Sequence, residues 1–190
     1  MKILLTGATG YIGKKLLPVL VSQGHQVICC VRDKGRFDIS GFDPGRVSVV
    51  EADFLDLASL ENIPEDIEAA YYLIHSMSTS VSDFERLEKI SAENFRDRLD
   101  RTQTRQVIYL SGIINQEKLS RHLSSRRDVE LILEMGKYHL TTLRAGIIVG
   151  SGSASFEIIR DLVEKLPVMV APRWLNTRAQ PISIRNVIQF

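Results

Sequence analysis

Gly7, Gly10 and Gly13 are the residues whose type and spacing come closest to a chemical purpose in this sequence. They follow an apolar run, Ile3 to Leu5, that reads as a short buried strand, and a helical pattern starts at Tyr11. A strand, a glycine turn and a helix N-terminus together make a phosphate cradle, because free backbone N–H groups and the positive end of the helix dipole converge on the turn. Glycines there let the chain turn tightly, let a pyrophosphate approach the backbone and let the helix pack close to the strand. The cradle would be lined by Thr6, Gly7, Thr9, Gly10, Tyr11, Ile12 and Gly13. The spacing is G-x-x-G-x-x-G rather than the tighter G-x-G-x-x-G. The alternative is a purely structural turn.

Three further positions sharpen the ligand. About 20 residues after the turn, an acidic side chain would hold a ribose 2′-hydroxyl. Here Val27 to Val31 is followed by Arg32, and a guanidinium favours a 2′-phosphate. That argues for NADP(H) over NAD(H). Asp33 comes next, and an Arg–Asp pair at a loop start is the competing reading. Asp53 and Phe54 follow the third strand; the carboxylate could accept from an adenine amino group with Phe54 beside the ring, or Asp53 could cap the short helix that follows. The fourth strand ends in Leu73, Ile74 and His75, which border the crevice of a doubly wound sheet and could lie over a cofactor, although a lone histidine is more often a packed or solvated residue.

The elements that must position these residues alternate between strand and helix. Strands are expected at Ile3–Leu5, Gln26–Val31, Val47–Glu51, Ala69–Ile74, Val107–Leu110, Leu140–Val149 and Gln180–Ile184. Helices are expected at Tyr11–Ser22 (with Pro18 inside and Gly24 at its end), Leu57–Leu60, Asp83–Arg101, Arg121–Met135 and Ser155–Leu166, and Arg185–Phe190 opens another. Such alternation implies βαβ units with right-handed crossovers. The expected fold is therefore α/β: a Rossmann doubly wound, mainly parallel sheet of about seven strands with helices on both faces, forming one domain over residues 1–190.

Composition narrows the setting. A chain of 190 residues fits one domain and can bury about 70% of its unfolded surface. With 44% apolar and 25% charged residues and a net charge of +1, nothing calls for a polyanion such as nucleic acid. No apolar run is long enough to cross a membrane, and the N-terminus does not read as a signal peptide. Adjacent Cys29 and Cys30 in a buried strand cannot make a disulfide framework, so the cytoplasm is the default compartment.

Leu5-Thr6-Gly7-Ala8-Thr9-Gly10-Tyr11-Ile12-Gly13 resembles the cofactor turn of extended and atypical short-chain dehydrogenases/reductases. Asp53, Tyr109-Leu110-Ser111-Gly112 and Gln180-Pro181-Ile182-Ser183-Ile184-Arg185-Asn186-Val187 fit the same superfamily. Ala70 to Met77, Leu143 to Ser153, Leu166-Pro167-Val168-Met169 and Pro172-Arg173-Trp174 are similar to an atypical, NAD-dependent epimerase/dehydratase-like group related to NmrA-type proteins. The resemblance covers nearly the whole chain. It implies an NAD(P) cofactor, a Rossmann domain and an NADP-selecting role for Arg32.

By the same resemblance, Ser111 matches the serine that hydrogen-bonds a substrate carbonyl or hydroxyl. The superfamily pairs it with a tyrosine acid/base and a lysine four residues later on the next helix, the lysine lowering the phenol pKa. Here that helix reads Ser124-Ser125-Arg126-Arg127-Asp128-Val129-Glu130 and holds no tyrosine; Tyr11 with Lys15 is a chance match. Two functions follow as expectations. One is an NADP-dependent epimerase/dehydratase or reductase of unusual design, with Ser111 orienting an unknown small-molecule substrate and His75 as the acid. The other is a non-catalytic NADP(H)-sensing or structural module of NmrA-like type, which the missing tyrosine favours.

The remaining signals are weaker. The chain stops at Phe190 inside a helix start, which reads as a truncation that leaves out a small substrate lobe more than as a natural end. Lys118, Arg121, Arg126 and Arg127 make a basic patch, usually a solvated face and sometimes an anion site. Trp174 could line the substrate side or cover the core edge, and Ser153 is the best cap for the helix after it. A homodimer through two long helices is common in the superfamily, but no apolar stripe here points to one. No metal site is indicated.

Overall fold

The computed structural model describes residues 1–74, 81–113, 121–165 and 180–190. It divides into two compact units, Met1–Arg144 and Ala145–Phe190. The first unit is built on six strands: β1 (Lys2–Thr6), β2 (Gln26–Val31), β3 (Val47–Glu51), β4 (Ala69–Tyr72), β5 (Gln106–Gly112) and β6 (His139–Ala145). Their order in the sheet is β3-β2-β1-β4-β5-β6, so the chain winds one way from β1 and then crosses to the other side. β1 pairs in parallel with both β2 and β4, with Leu4 opposite Ile28 on one side and Ala70 on the other.

β1 and β2 are buried almost throughout because both faces of the sheet are covered. Leu4, Ile28 and Cys30 point into one cluster with Phe95 and Leu99 of α3 (Val81–Leu99) and Val129 of α4 (Arg121–Glu134). The alternate residues Ile3, Leu5, Val27 and Cys29 are buried as well, and α1 (Tyr11–Ser22), which packs against β1 and β2, buries Leu16, Leu17 and Leu20. α1 continues through Pro18 as one helix, with Gly24 just beyond its C-cap. The short α2 (Leu57–Leu60) links β3 to β4.

The second unit carries a separate two-stranded parallel sheet, β7 (Ile148–Val149) with β8 (Ile182–Ser183), and the helices α5 (Ala154–Lys165) and α6 (Ile184–Gln189). This corrects the expected seven-stranded sheet. The stretch expected as one strand from Leu140 to Val149 is broken after Ala145, where a side chain on Gly146 would come within 2.1 Å of the Gln180 carbonyl oxygen. The Gln180–Ile184 strand shrinks to two residues that pair with β7, because Ile184 already starts α6. Ser153 directly precedes α5 and its carbonyl accepts from the Glu157 N–H at 2.9 Å, as a cap residue does, while its hydroxyl donates to the Ile148 carbonyl at 2.8 Å. Trp174 and Lys118 lie outside the described residues. No described helix is long and apolar enough to cross a membrane.

Candidate functional site

The turn after β1 is the element around which the site is built. Gly7 has φ +65, and a Cβ there would lie 2.5 Å from the Leu73 carbonyl oxygen, so both the backbone angle and the β4 end demand glycine. A Cβ on Gly13 would stand 2.4 Å from the Gly7 carbonyl oxygen and 2.8 Å from the Ala8 Cα, which sets how closely α1 approaches the turn. Gly10 is the N-cap of α1 and offers no side-chain acceptor to the first helical turn. The N–H groups at the start of α1 therefore face the site with the positive end of the helix dipole. No carboxylate stands in the first turn to occupy them.

These N–H groups open into a cavity of about 540 Å³, within the usual range for a cofactor site. It lies at the carboxyl ends of the parallel strands, where ligands of open α/β sheets sit. Thr6, Gly7, Thr9, Gly10, Tyr11, Ile12 and Gly13 line its floor. Arg32, Asp53, Phe54, Leu73 and Ile74 line its walls. Ser91 of α3, Cys30 and Ala52 also reach it, and sequence reasoning missed all three. Ser91 follows Leu87 and Ile90 in an apolar stripe, and a buried polar residue in such a stripe is the signal that could have found it. His75 lies outside the described residues.

The polar side chains divide clearly between scaffold and site. The Thr6 hydroxyl donates to the Tyr71 carbonyl at 2.8 Å and accepts from the Leu73 N–H at 3.1 Å. It therefore bolts the end of β4 to β1 and shapes the cavity from behind. Asp53 accepts from the Leu55 N–H at 3.0 Å, and its own N–H donates to the Ser59 hydroxyl at 2.8 Å. The helix cap that sequence alone offered as one role for Asp53 belongs instead to Asp56, whose carboxylate accepts from the Ala58 N–H. Asp53 is left as a partly buried carboxylate on the cavity wall. Phe54 packs on Phe95 with ring centroids 5.5 Å apart, so it joins the cavity wall to the core.

The end of β2 separates Arg32 from Asp33. The Asp33 carboxylate accepts from the Gly35 N–H at 2.9 Å and pairs with the Arg36 guanidinium at 3.1 Å. Arg32 is exposed, lines the cavity and makes no ion pair among the described residues, so the Arg32–Asp33 pair considered from sequence does not form.

Ser111 stands apart from this cavity. It is 4% exposed at the end of β5, and its hydroxyl acts on the neighbouring Tyr109 phenol, with no closer hydrogen-bond partner among the described residues. Around it lies a polar cluster that sequence reasoning did not assemble. Arg126 of α4 donates to the Leu110 carbonyl at 2.9 Å, the Tyr109 hydroxyl donates to the Arg126 carbonyl at 3.3 Å, and Ser125 donates to the buried Glu88 carboxylate of α3 at 3.0 Å. Burial pushes the Tyr72 phenol well above its usual range, and Glu88 adds to the shift while Arg126 opposes it. The available signal was a charged residue set in each apolar stripe: Glu88 beside Leu87 and Ser91, and Arg126 between Leu123 and Val129.

The family model described as NAD(P)H-binding matches residues 7–146, from the first glycine of the turn to the end of the six-stranded sheet. The chain belongs to this NAD(P)H-binding family. An uncharacterized protein of Saccharomyces cerevisiae, YLL056C, is 31% identical over 90 residues, 47% of this chain and 28% of that protein. The chain thus matches less than a third of that relative's length. Among solved structures, MoeE5 in complex with UDP-glucuronic acid and NAD superposes with a TM-score of 0.76 at 16% identity, covering 100% of this chain and 70% of that one. A UDP-glucose 4-epimerase from Thermotoga maritima gives 0.75 at 15% identity, over 100% and 71% of the two chains. A dTDP-glucose 4,6-dehydratase from Streptomyces venezuelae, bound to NAD, gives 0.77 at 14%, over 100% and 70%. Likeness at this identity shows the Rossmann-like fold shared with epimerases and dehydratases. The glycine cradle and the free first turn of α1 fit a nicotinamide dinucleotide.

Proposed function

We propose that this NAD(P)H-binding protein prefers NADP(H) to NAD(H). The observation that carries the preference is the separation of Arg32 from Asp33. Arg32 lines the cavity at the end of β2, and the neighbouring carboxylate is taken up by Gly35 and Arg36. A 2′-phosphate would meet a cation there, and a bare 2′-hydroxyl would find no carboxylate. In this reading the pyrophosphate rests on the N–H groups of Tyr11, Ile12 and Gly13, and the adenine lies toward Asp53 and Phe54.

The protein is proposed to act as an epimerase/dehydratase-like or reductase-like enzyme on an unknown small molecule held near Ser111. The bound cofactor would supply hydride chemistry, and the protein would bind and orient both partners. The second reading is an NADP(H)-sensing or structural module. It is favoured by one specific feature: α4 has no tyrosine to act as the acid. Calorimetric titration of the 190-residue chain with NADP⁺ and then NAD⁺, at one ionic strength, tests the cofactor claim. NADP⁺ should bind at least about tenfold more tightly. Equal affinities would remove Arg32 from the account.

A further inference from the structure

Serines inside helices commonly turn their hydroxyl back onto a carbonyl one turn earlier. Ser22 and Ser59 do so, donating to the Val19 and Asp56 carbonyls at 2.8 Å, and Ser125 of α4 reaches Glu88. Ser91, in the middle of α3, is 3% exposed and makes no hydrogen bond among the described residues, yet it lines the cavity of the glycine turn. A serine side chain is little more than its hydroxyl, so Ser91 presents the cavity with an unpaired donor and acceptor. A buried hydroxyl in that state is costly unless a ligand completes it.

The helix fixes which part of a ligand that hydroxyl meets. β4 and β5 are parallel, so α3 between them runs back from the carboxyl ends of the strands. Phe95 packs on Phe54 with ring centroids 5.5 Å apart and on Tyr72 at 4.8 Å, and the Asn94 amide donates to the Phe54 carbonyl at 2.7 Å. Ser91 comes four residues before Phe95, on the same face of α3 and one turn nearer the carboxyl ends. It therefore reaches the cavity beside Phe54 and Asp53. Asp53 holds the Leu55 N–H with one carboxylate oxygen and keeps the other. That carboxylate would repel a phosphate, whereas the amino edge of an adenine offers it a donor flanked by ring-nitrogen acceptors. An acceptor-only carboxylate and a hydroxyl that both donates and accepts match such an edge.

We propose that the Ser91 hydroxyl, together with Asp53, binds the amino edge of the cofactor's adenine ring and so fixes the base against Phe54. This rests on the reading that the adenine of a dinucleotide lies toward Asp53 and Phe54, and it adds to that reading a contact from α3. It is independent of the 2′-phosphate, because the adenine is common to both dinucleotides.

The test compares the 190-residue chain with its Ser91→Ala variant. Affinities for NADP⁺, NAD⁺ and 5′-AMP would be measured by calorimetry, the affinity for nicotinamide mononucleotide by NMR titration, and stability without ligand from the urea midpoint. Ser91→Ala should weaken all the adenine ligands about fivefold and leave the nicotinamide mononucleotide within about twofold. The unliganded variant should keep or raise its urea midpoint, because it deletes an unpaired buried hydroxyl and places a better helix former in α3. A serine that served only the fold would show the reverse, a lower midpoint with unchanged 5′-AMP affinity. A parent chain that binds NADP⁺ and NAD⁺ equally would defeat the cofactor preference and leave the Ser91 effect standing, so the two failures are separable. The proposal is overturned if Ser91→Ala binds 5′-AMP as tightly as the parent chain does, or if it weakens nicotinamide mononucleotide as much as 5′-AMP.

Discussion

The carboxyl ends of β1 and β5 lie on the same edge of one sheet, with β4 between them, and they are assembled from different materials. At β1 the site is backbone: glycines without side chains, a first helical turn with free N–H groups, and Thr6 bracing the arrangement from behind. At β5 it is side chain: Ser111, Arg126, Ser125 and Glu88, drawn from a strand and two helices. A backbone cradle recognises what all dinucleotides share, whereas a side-chain cluster can change with the substrate. In the second, a cation and a buried carboxylate meet the Tyr72 and Tyr109 phenols, while α4 itself carries no tyrosine.

The comparison breaks most readily at Gly13. Gly13→Val should abolish measurable dinucleotide binding and cost about 3 kcal/mol of stability, since its Cβ has backbone atoms at 2.4 and 2.8 Å and no flexible side chain to displace. Urea unfolding and calorimetry would measure the two losses; a variant that binds normally would mean the cradle is not what holds the ligand. Thr6→Val, which preserves shape, tests the brace. It removes the acceptor of the Leu73 N–H and one donor to the Tyr71 carbonyl, so a loss of about 2 kcal/mol is expected, together with weaker dinucleotide binding. Normal affinity in a destabilised Thr6→Val would limit Thr6 to the core.

The smallest effect concerns β2 behind the cavity. Burial pushes the Cys29 and Cys30 thiols from an ordinary 9.0 up to about 12, with Cys29 and Asp53 adding to the shift at Cys30. Because the folded value lies above the unfolded one, the protonated thiols contribute stability below pH 9, and that contribution fades as pH rises from 9 toward 12. Urea midpoints should therefore fall across that window, and fall less steeply in a Cys29→Ala/Cys30→Ala chain. An unchanged slope would show that the thiols are not responsible.

The two strand ends also differed in how legible they were. The β1 turn could be read because its information is local: three glycines, a strand before them and a helix after them, all within Lys2–Ser22. Arg32 could be placed for the same reason, but its freedom from Asp33 depends on a turn that brings Gly35 and Arg36 to the carboxylate. The β5 cluster joins residues 37 positions apart, Glu88 and Ser125, and nothing local announces that they meet. The sheet was overcounted because a run of β-formers from Leu140 to Val149 does not reveal that Gly146 must pass close to Gln180.

The most direct test of the central claim pairs a change in the protein with a change in the ligand. NADP⁺ and NAD⁺ affinities would be measured for the parent chain and for Arg32→Ala, and the four values combined in a cycle. The account predicts that Arg32→Ala weakens NADP⁺ about tenfold or more and leaves NAD⁺ nearly unchanged, a coupling of about 1.4 kcal/mol or more between the guanidinium and the 2′-phosphate. Equal losses for both ligands, or none for either, would contradict it.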